Sequence, residues 1–373
     1  MIIGFYVNKL NFNVEIYNSI ILIFMQHLFF GILFLVLLVS CHDNKIDRVE
    51  RAFYYWKSGE YSLSDDENKC LDTLNVKKLY VKFFEVTHDE TMGNIPISKN
   101  RLDIYNYEGK NEEVNSNVVP AVFIKNEVFI KSSKSEIDTL ISNVEFLVKK
   151  YKREHFSTKN NEIKEIQFDC DWTLKSKENY FYFLREFHKK SKIDLSCTLR
   201  LYPYKYRSKM GVPPVKKVTL MCYNLMQPFE SKSKNSILDI EELKSYLTVV
   251  EKYPLHMDIA LPIFSWCYHY QYDQFQRFTN LNAGDLKKIA TRKSSLWYEV
   301  TKDSVINEVY YRQGDKLKFE EVNQNTVQDV IKILKSKVQL DKKSTVILFH
   351  LDSNNLKSYN YETLGKFYTS FSI

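Results

Sequence analysis

Glycine is scarce in this chain, with nine residues in 373. No G-x-G-x-x-G or Walker stretch occurs, so the backbone cradle that nucleotide phosphates need is missing. The eight histidines, His27, His42, His88, His155, His188, His256, His269 and His350, form no H-x-H, H-E-x-x-H or His/Cys ligand spacing, which argues against a metal site. There is no G-x-S-x-G elbow for a serine nucleophile. Cysteine forms no C-x-x-C pair; of Cys70, Cys170, Cys197, Cys222 and Cys267, four sit in or just after apolar strand runs, where a thiol behaves as a small buried hydrophobe. The formal charge is +7, yet the basic residues are scattered among acids without an Arg-rich helix or long basic run, which argues against nucleic acid. No cofactor is expected.

Apolar residues make up 44% of the chain and aromatic ones 15%, with 26 Tyr and 25 Phe, so a substantial packed core is expected. One run is apolar almost throughout, from Ile20 to Ser40, and Cys41 follows at once. Leu38-Val39-Ser40-Cys41 resembles the bacterial lipobox, in which the cysteine is lipidated and becomes the new N-terminus. A membrane-spanning helix is the alternative, since the run is long enough to cross a bilayer. The lipobox is preferred because the apolar run stops at this cysteine and His42-Asp43-Asn44-Lys45 is polar. Residues 1–40 are therefore expected to form a signal segment, with Met25 as a candidate true start. The expected location is the bacterial cell envelope, lipid-anchored through Cys41 to the outer membrane.

Eight apolar, β-prone runs follow: Ala52–Trp56, Lys78–Val86, Val119–Ile124, Glu165–Trp172, Asp194–Tyr202, Lys217–Asn224, Met257–Trp266 and Thr345–Leu351. Helical periodicity separates many of them, over Ser64–Leu74, Ser135–Lys150, Ser176–Lys190, Ile237–Val250, Thr326–Val338 and Tyr361–Phe371. Strands alternating with helices imply a parallel sheet, and eight of them an α/β chain closed as a (β/α)8 TIM-type barrel over 41–373. An open doubly wound sheet is the alternative, without its usual phosphate loop. An insertion over 267–324 separates strands seven and eight. Within it, Val309-Tyr-Tyr-Arg and Lys316-Leu-Lys-Phe flank Gln313-Gly314-Asp315 and read as a hairpin.

The fourth run, Glu165-Ile-Gln-Phe-Asp-Cys-Asp-Trp-Thr173, alternates strictly. Ile166, Phe168, Cys170 and Trp172 share one side, and Gln167, Asp169, Asp171 and Thr173 the other. In a barrel the side that packs on the helices must be apolar, so the acidic side points inward. The same parity sends Tyr80, Lys82, Phe84, Ser196, Thr198, Arg200, Tyr202, Met221, Tyr223, Asp258 and Trp266 inward. Chemistry in such barrels sits at the C-terminal strand ends, which selects Asp171, Arg200, Tyr202, Tyr223 and Trp266. Asp169 and Lys82 lie deeper and read as an ionic pair filling the barrel; Asp258 lies at the far end and reads as structural. His350 and Asp352 end the eighth strand near the mouth. A carboxylate beside Asp171 could raise its pKa, as a general acid requires.

These strands carry a resemblance to chitinase-type glycoside hydrolases, which have D-x-x-D-x-D-x-E on the fourth barrel strand and M-x-Y-D on the sixth. Here the counterparts are Ile166-Gln-Phe-Asp169-Cys-Asp171-Trp-Thr173 and Met221-Cys-Tyr223-Asn224. The resemblance implies that Asp171 and Tyr223 contact a substrate N-acetyl group. It departs at Ile166, Asn224 and above all Thr173, which stands where the family's catalytic Glu would be. Either Asp171, helped by Asp169, is the acid of a glycan hydrolase with Tyr223, Arg200, Tyr202, Trp266 and Asn224 as substrate contacts, or the barrel binds glycan or peptidoglycan without catalysis. A structural envelope protein with no ligand is a third reading. The chain is also similar to lipoproteins of the Bacteroidota that share its Phe53-Tyr-Tyr-Trp-Lys57, Leu79-Tyr-Val-Lys-Phe-Phe84 and Gly211-Val-Pro-Pro-Val215 stretches; that resemblance implies no activity.

Overall fold

A computed structural model describes residues 45–103, 117–155, 163–249 and 251–372. Met25, Cys41 and the apolar run before it lie outside the described residues. Among those described, no helix is long and apolar enough to cross a membrane.

Eight strands form the centre: β1 (Arg48–Tyr55), β2 (Lys78–Asp89), β3 (Asn117–Ile124), β4 (Glu165–Asp169), β5 (Asp194–Leu199), β6 (Lys217–Met221), β7 (His256–Pro262) and β8 (Lys343–Phe349). Each pairs in parallel with the next, and β8 returns to β1, so the ladder closes. This is the expected (β/α)8 TIM barrel. Closure removes every edge among the eight and leaves an inner and an outer face on each strand.

The outer face is apolar because helices cover it. Phe168 of β4 packs edge-on against Phe183 and Phe187, with ring centres 5.0 and 4.9 Å apart, on the helix Lys177–Ser191. The helix Asp65–Thr73 starts where Ser64 and Glu67 cap one another reciprocally, and Glu67 is itself fully buried. Lys134–His155, Gln324–Lys337 and Tyr361–Thr369 complete the main outer layer.

The insertion builds a second sheet of five antiparallel strands, ordered Gln274–Thr279, Ser265–Gln271, Lys316–Glu321, Trp297–Val300, Ala290–Arg292. It has its own small core around Cys267, Leu286, Ile289, Leu317 and Phe319. The hairpin expected around Gln313-Gly314-Asp315 does not form. Val309–Tyr311 pairs instead with Ser304–Ile306, across a turn at Asn307-Glu308 where both residues have positive φ, 50° and 64°. That left-handed pair is what a two-residue hairpin needs.

A second correction falls on β2. The pairing of β2 with β3 slips by one residue between Lys82 and Phe84. One extra residue reverses the alternation beyond it. Phe84, expected inward, meets Tyr151 of the helix Lys134–His155 with ring centres 5.9 Å apart. Glu85 moves to the side of Lys82 and takes its ammonium at 2.6 Å.

Candidate functional site

β4 ends at Asp169, so the alternating row leaves the sheet there and Asp171 lies beyond it, at the barrel mouth. Asp169 is buried, and Thr198 of β5 donates to its Oδ1 at 2.5 Å. Burial, and then the charge of Asp171, push its carboxyl up to about 6; the Thr198 hydroxyl and Arg200 oppose this. Beneath it, Tyr54 donates to Gln167 at 2.7 Å and Gln167 donates to Thr219 at 3.0 Å, closing a neutral hydrogen-bonded layer. The expected Lys82–Asp169 pair is absent: Lys82 donates to Glu85 and to Ser58.

Asp171 is half exposed and gripped by one partner. Arg200 donates from Nε to Oδ1 at 2.5 Å and from Nη2 to Oδ2 at 3.0 Å. Burial works against the Arg200 charge, but the Asp171 hydrogen bonds outweigh it and hold the guanidinium above its usual pKa. Arg200 Nη1 also reaches the carbonyls of Tyr223 and Asn224, at 3.4 and 3.5 Å. The arginine thus ties the ends of β4, β5 and β6 together.

These residues line a hollow of about 160 Å³ with Tyr54, Trp56, Phe123 and Phe349 as aromatic walls. Among the described residues, two polar atoms in it find no hydrogen-bond partner, the buried Tyr223 hydroxyl and Asn224 Oδ1. Buried polar atoms are seldom left so, and in a hollow they point to a ligand. Asn224 follows the end of β6 in a left-handed conformation, φ 53°.

Thr173 lies in the turn that opens the helix Lys177–Ser191, its N–H donating to Ser176 Oγ at 2.9 Å. It brings no carboxyl to the mouth. Two expected site residues lie elsewhere. β5 ends at Leu199 and Tyr202 is carried away on the helix Leu201–Lys205, exposed and packed at a tilt against Tyr206. Trp266 belongs to the insertion sheet rather than to β7. It borders a neighbouring hollow of about 370 Å³, with Trp56, Phe264, Asn282, His350 and Asp352. Trp56 is common to both hollows. In the second, burial drives the His350 imidazole down to about 4, and its Nδ1 has no partner among the described residues. The aromatic walls from β1 and β8 went unassigned in the sequence, although Trp56 and Phe349 stand at strand C-termini like the residues chosen there.

Among the described residues, no group of three or more acidic, histidine or cysteine side chains could hold a metal ion. The five described cysteines are buried and free of disulfides.

No family model and no curated protein sequence matches the chain. Solved structures do. The spore cortex-lytic enzyme SleL of Bacillus megaterium QM B1551 is similar at 15% identity over 86% of this chain and 74% of its own, with a TM-score of 0.48. The Bacillus cereus SleL gives 14%, 87%, 75% and 0.49, and a GH18 chitinase from Pseudoalteromonas aurantia 10%, 85%, 99% and 0.39. The barrel itself is defined by its closed ladder of eight parallel strands.

Proposed function

We propose that this chain is a carbohydrate-binding protein on a glycoside-hydrolase-like barrel that does not hydrolyse its ligand. The observation that carries the reading is the Asp171–Arg200 pair. A general acid must arrive protonated and a base must be free to take a proton. Both Asp171 oxygens are instead taken up by the Arg200 guanidinium, and Thr173 supplies no replacement. The rest of the hollow suits a sugar ring. Aromatic faces accept the ring's C–H surface, while the Tyr223 hydroxyl, Asn224 Oδ1 and Asp169 meet its hydroxyl or acetamido groups.

A second reading, hydrolysis, is favoured by Asp169 alone. A carboxyl raised to about 6 inside the hollow has the proton affinity of a general acid. Incubating the full chain in neutral detergent with chito-oligosaccharides and peptidoglycan fragments separates the two. A ligand-dependent rise in melting temperature with no new reducing ends supports binding. Cleavage that Asp169→Asn abolishes installs hydrolysis instead. The absence of both responses would remove carbohydrate from consideration.

The proposal extends to place. The sequence up to Ser40 is removed and Cys41 is lipidated, tethering the barrel to the outer membrane of a bacterial envelope, as in the Bacteroidota lipoproteins it resembles. Mass spectrometry of the mature N-terminus tests this: an acylated Cys41 is expected, and an intact Met1 or Met25 terminus would sink it.

A further inference from the structure

At the opposite end of the barrel from the candidate site, the first residues of β1, β2, β6 and β8 are Arg48, Lys78, Lys217 and Lys343. Together with Arg51 and Lys77 they line a hollow of about 570 Å³. Six cationic side chains face a single lining carboxylate, that of Glu50. Some of this charge is already matched. Lys78 pairs with Glu50 at 2.6 Å, and Lys217 with Asp258 at 2.9 Å and Glu165 at 3.1 Å. Arg51 donates to the Leu74 carbonyl at 2.7 Å. Arg48, Lys77 and Lys343 are exposed, and among the described residues none of them is paired with a carboxylate. They surround the hollow as three free positive charges.

We infer that this hollow is an anion site for the phosphate-bearing headgroup of an acidic lipid. Phosphate is the anion whose oxygens match several converging ammonium and guanidinium donors at once. The lipid as its source rests on the proposed Cys41 anchor; the anion chemistry does not. Arg48 is the seventh residue after Cys41, and seven extended residues reach at most about 25 Å. A chain tethered so closely presents the N-terminal end of its barrel to the bilayer, where basic side chains meet acidic headgroups. The candidate sugar site then opens on the far side.

The test uses the full chain in neutral-detergent micelles, titrated calorimetrically with phosphatidylglycerol in mixed micelles, with phosphatidylcholine, and with inorganic phosphate. The comparison is the combined variant Arg48→Gln, Lys77→Gln, Lys343→Gln, whose exposed positions leave the fold intact by melting temperature. Phosphatidylglycerol is expected to bind the natural chain about 100-fold more tightly than the variant, since each basic group at a lipid surface contributes about a factor of five. Phosphatidylcholine is expected not to bind. Equal affinities for phosphatidylglycerol in the two proteins, or none in either, would overturn the site. Inorganic phosphate bound with the same loss in the variant, but without a response to phosphatidylglycerol, would overturn the lipid as ligand. Oligosaccharide binding at the mouth is expected to be the same in both proteins, so failure here is separable from failure of the carbohydrate reading.

Discussion

Arg200 holds both carboxylate oxygens of Asp171, Nε at 2.5 Å and Nη2 at 3.0 Å, directly above Asp169. Burial is the largest cause of the raised Asp169 pKa, and the pair modulates it without bonding to that residue. Asp171 raises the Asp169 pKa and Arg200 lowers it. Asp171→Asn is expected to bring the Asp169 titration below about 6, because it removes the repulsive charge and frees the attractive one. Arg200→Gln is expected to move it up. Carboxyl-carbon NMR titration reads both shifts, and movement in the same direction would refute the arrangement.

The raised Asp169 also links stability to pH. Its folded pKa of about 6 lies above the roughly 3.9 of an unfolded aspartate, so the native chain binds the proton more tightly. The stability this contributes is complete below about pH 4 and is lost as pH rises through 6. Asp169→Asn keeps an oxygen for the Thr198 hydroxyl without the charge. Urea denaturation is expected to find this variant more stable than the natural chain by about 2–3 kcal/mol at pH 7.5, and nearly equal to it at pH 4. An equal difference at both pH values would contradict the assignment.

Asp258 behaves oppositely. Burial pushes its pKa up, but the hydrogen bond to His256, the Lys217 ammonium and the Thr345 N–H prevail and hold it at about 2. Its contribution is present above about pH 4 and lost as pH falls through 2. Asp258→Asn leaves Lys217 without this buried partner and is expected to cost about 3 kcal/mol at pH 7. Because the residue lies near the N-terminal end of β7, oligosaccharide affinity in the folded variant is expected to hold. Calorimetry at a temperature where both proteins are folded decides it.

Trp56 is half buried and stands between the two hollows at the mouth. Trp56→Ala is expected to weaken oligosaccharide binding at least tenfold, about 1.4 kcal/mol or more. The loss is expected to grow with the number of sugar units, because longer ligands cross from one hollow to the other. A length-independent loss would confine binding to one hollow.

Much of this was legible in the sequence because a barrel strand has two faces with different surroundings. Phe168 against Phe183 and Asp169 against Thr198 follow directly from the alternation. The errors have local causes. Apolar alternation runs past the ends of β4 and β5, so sequence alone places Asp171, Arg200 and Tyr202 on strands that stop short of them. Ile263 and Phe264 join β7 to the first insertion strand without a polar break, which hid the change of sheet before Trp266. The one-residue slip in β2 has no composition signal, and with it went the partner of Lys82. At Asn307-Glu308 the turn contains no glycine, whereas the conspicuous Gly314 serves a different loop.

β1 begins at Arg48, on the basic hollow, and ends at Tyr55, one residue before the tryptophan shared by the two hollows at the mouth. At about 3.3 Å per residue, the eight steps from Arg48 to Trp56 span about 26 Å. This strand is a ruler. The mouth is held at one fixed distance from the basic hollow, set by a single rigid element.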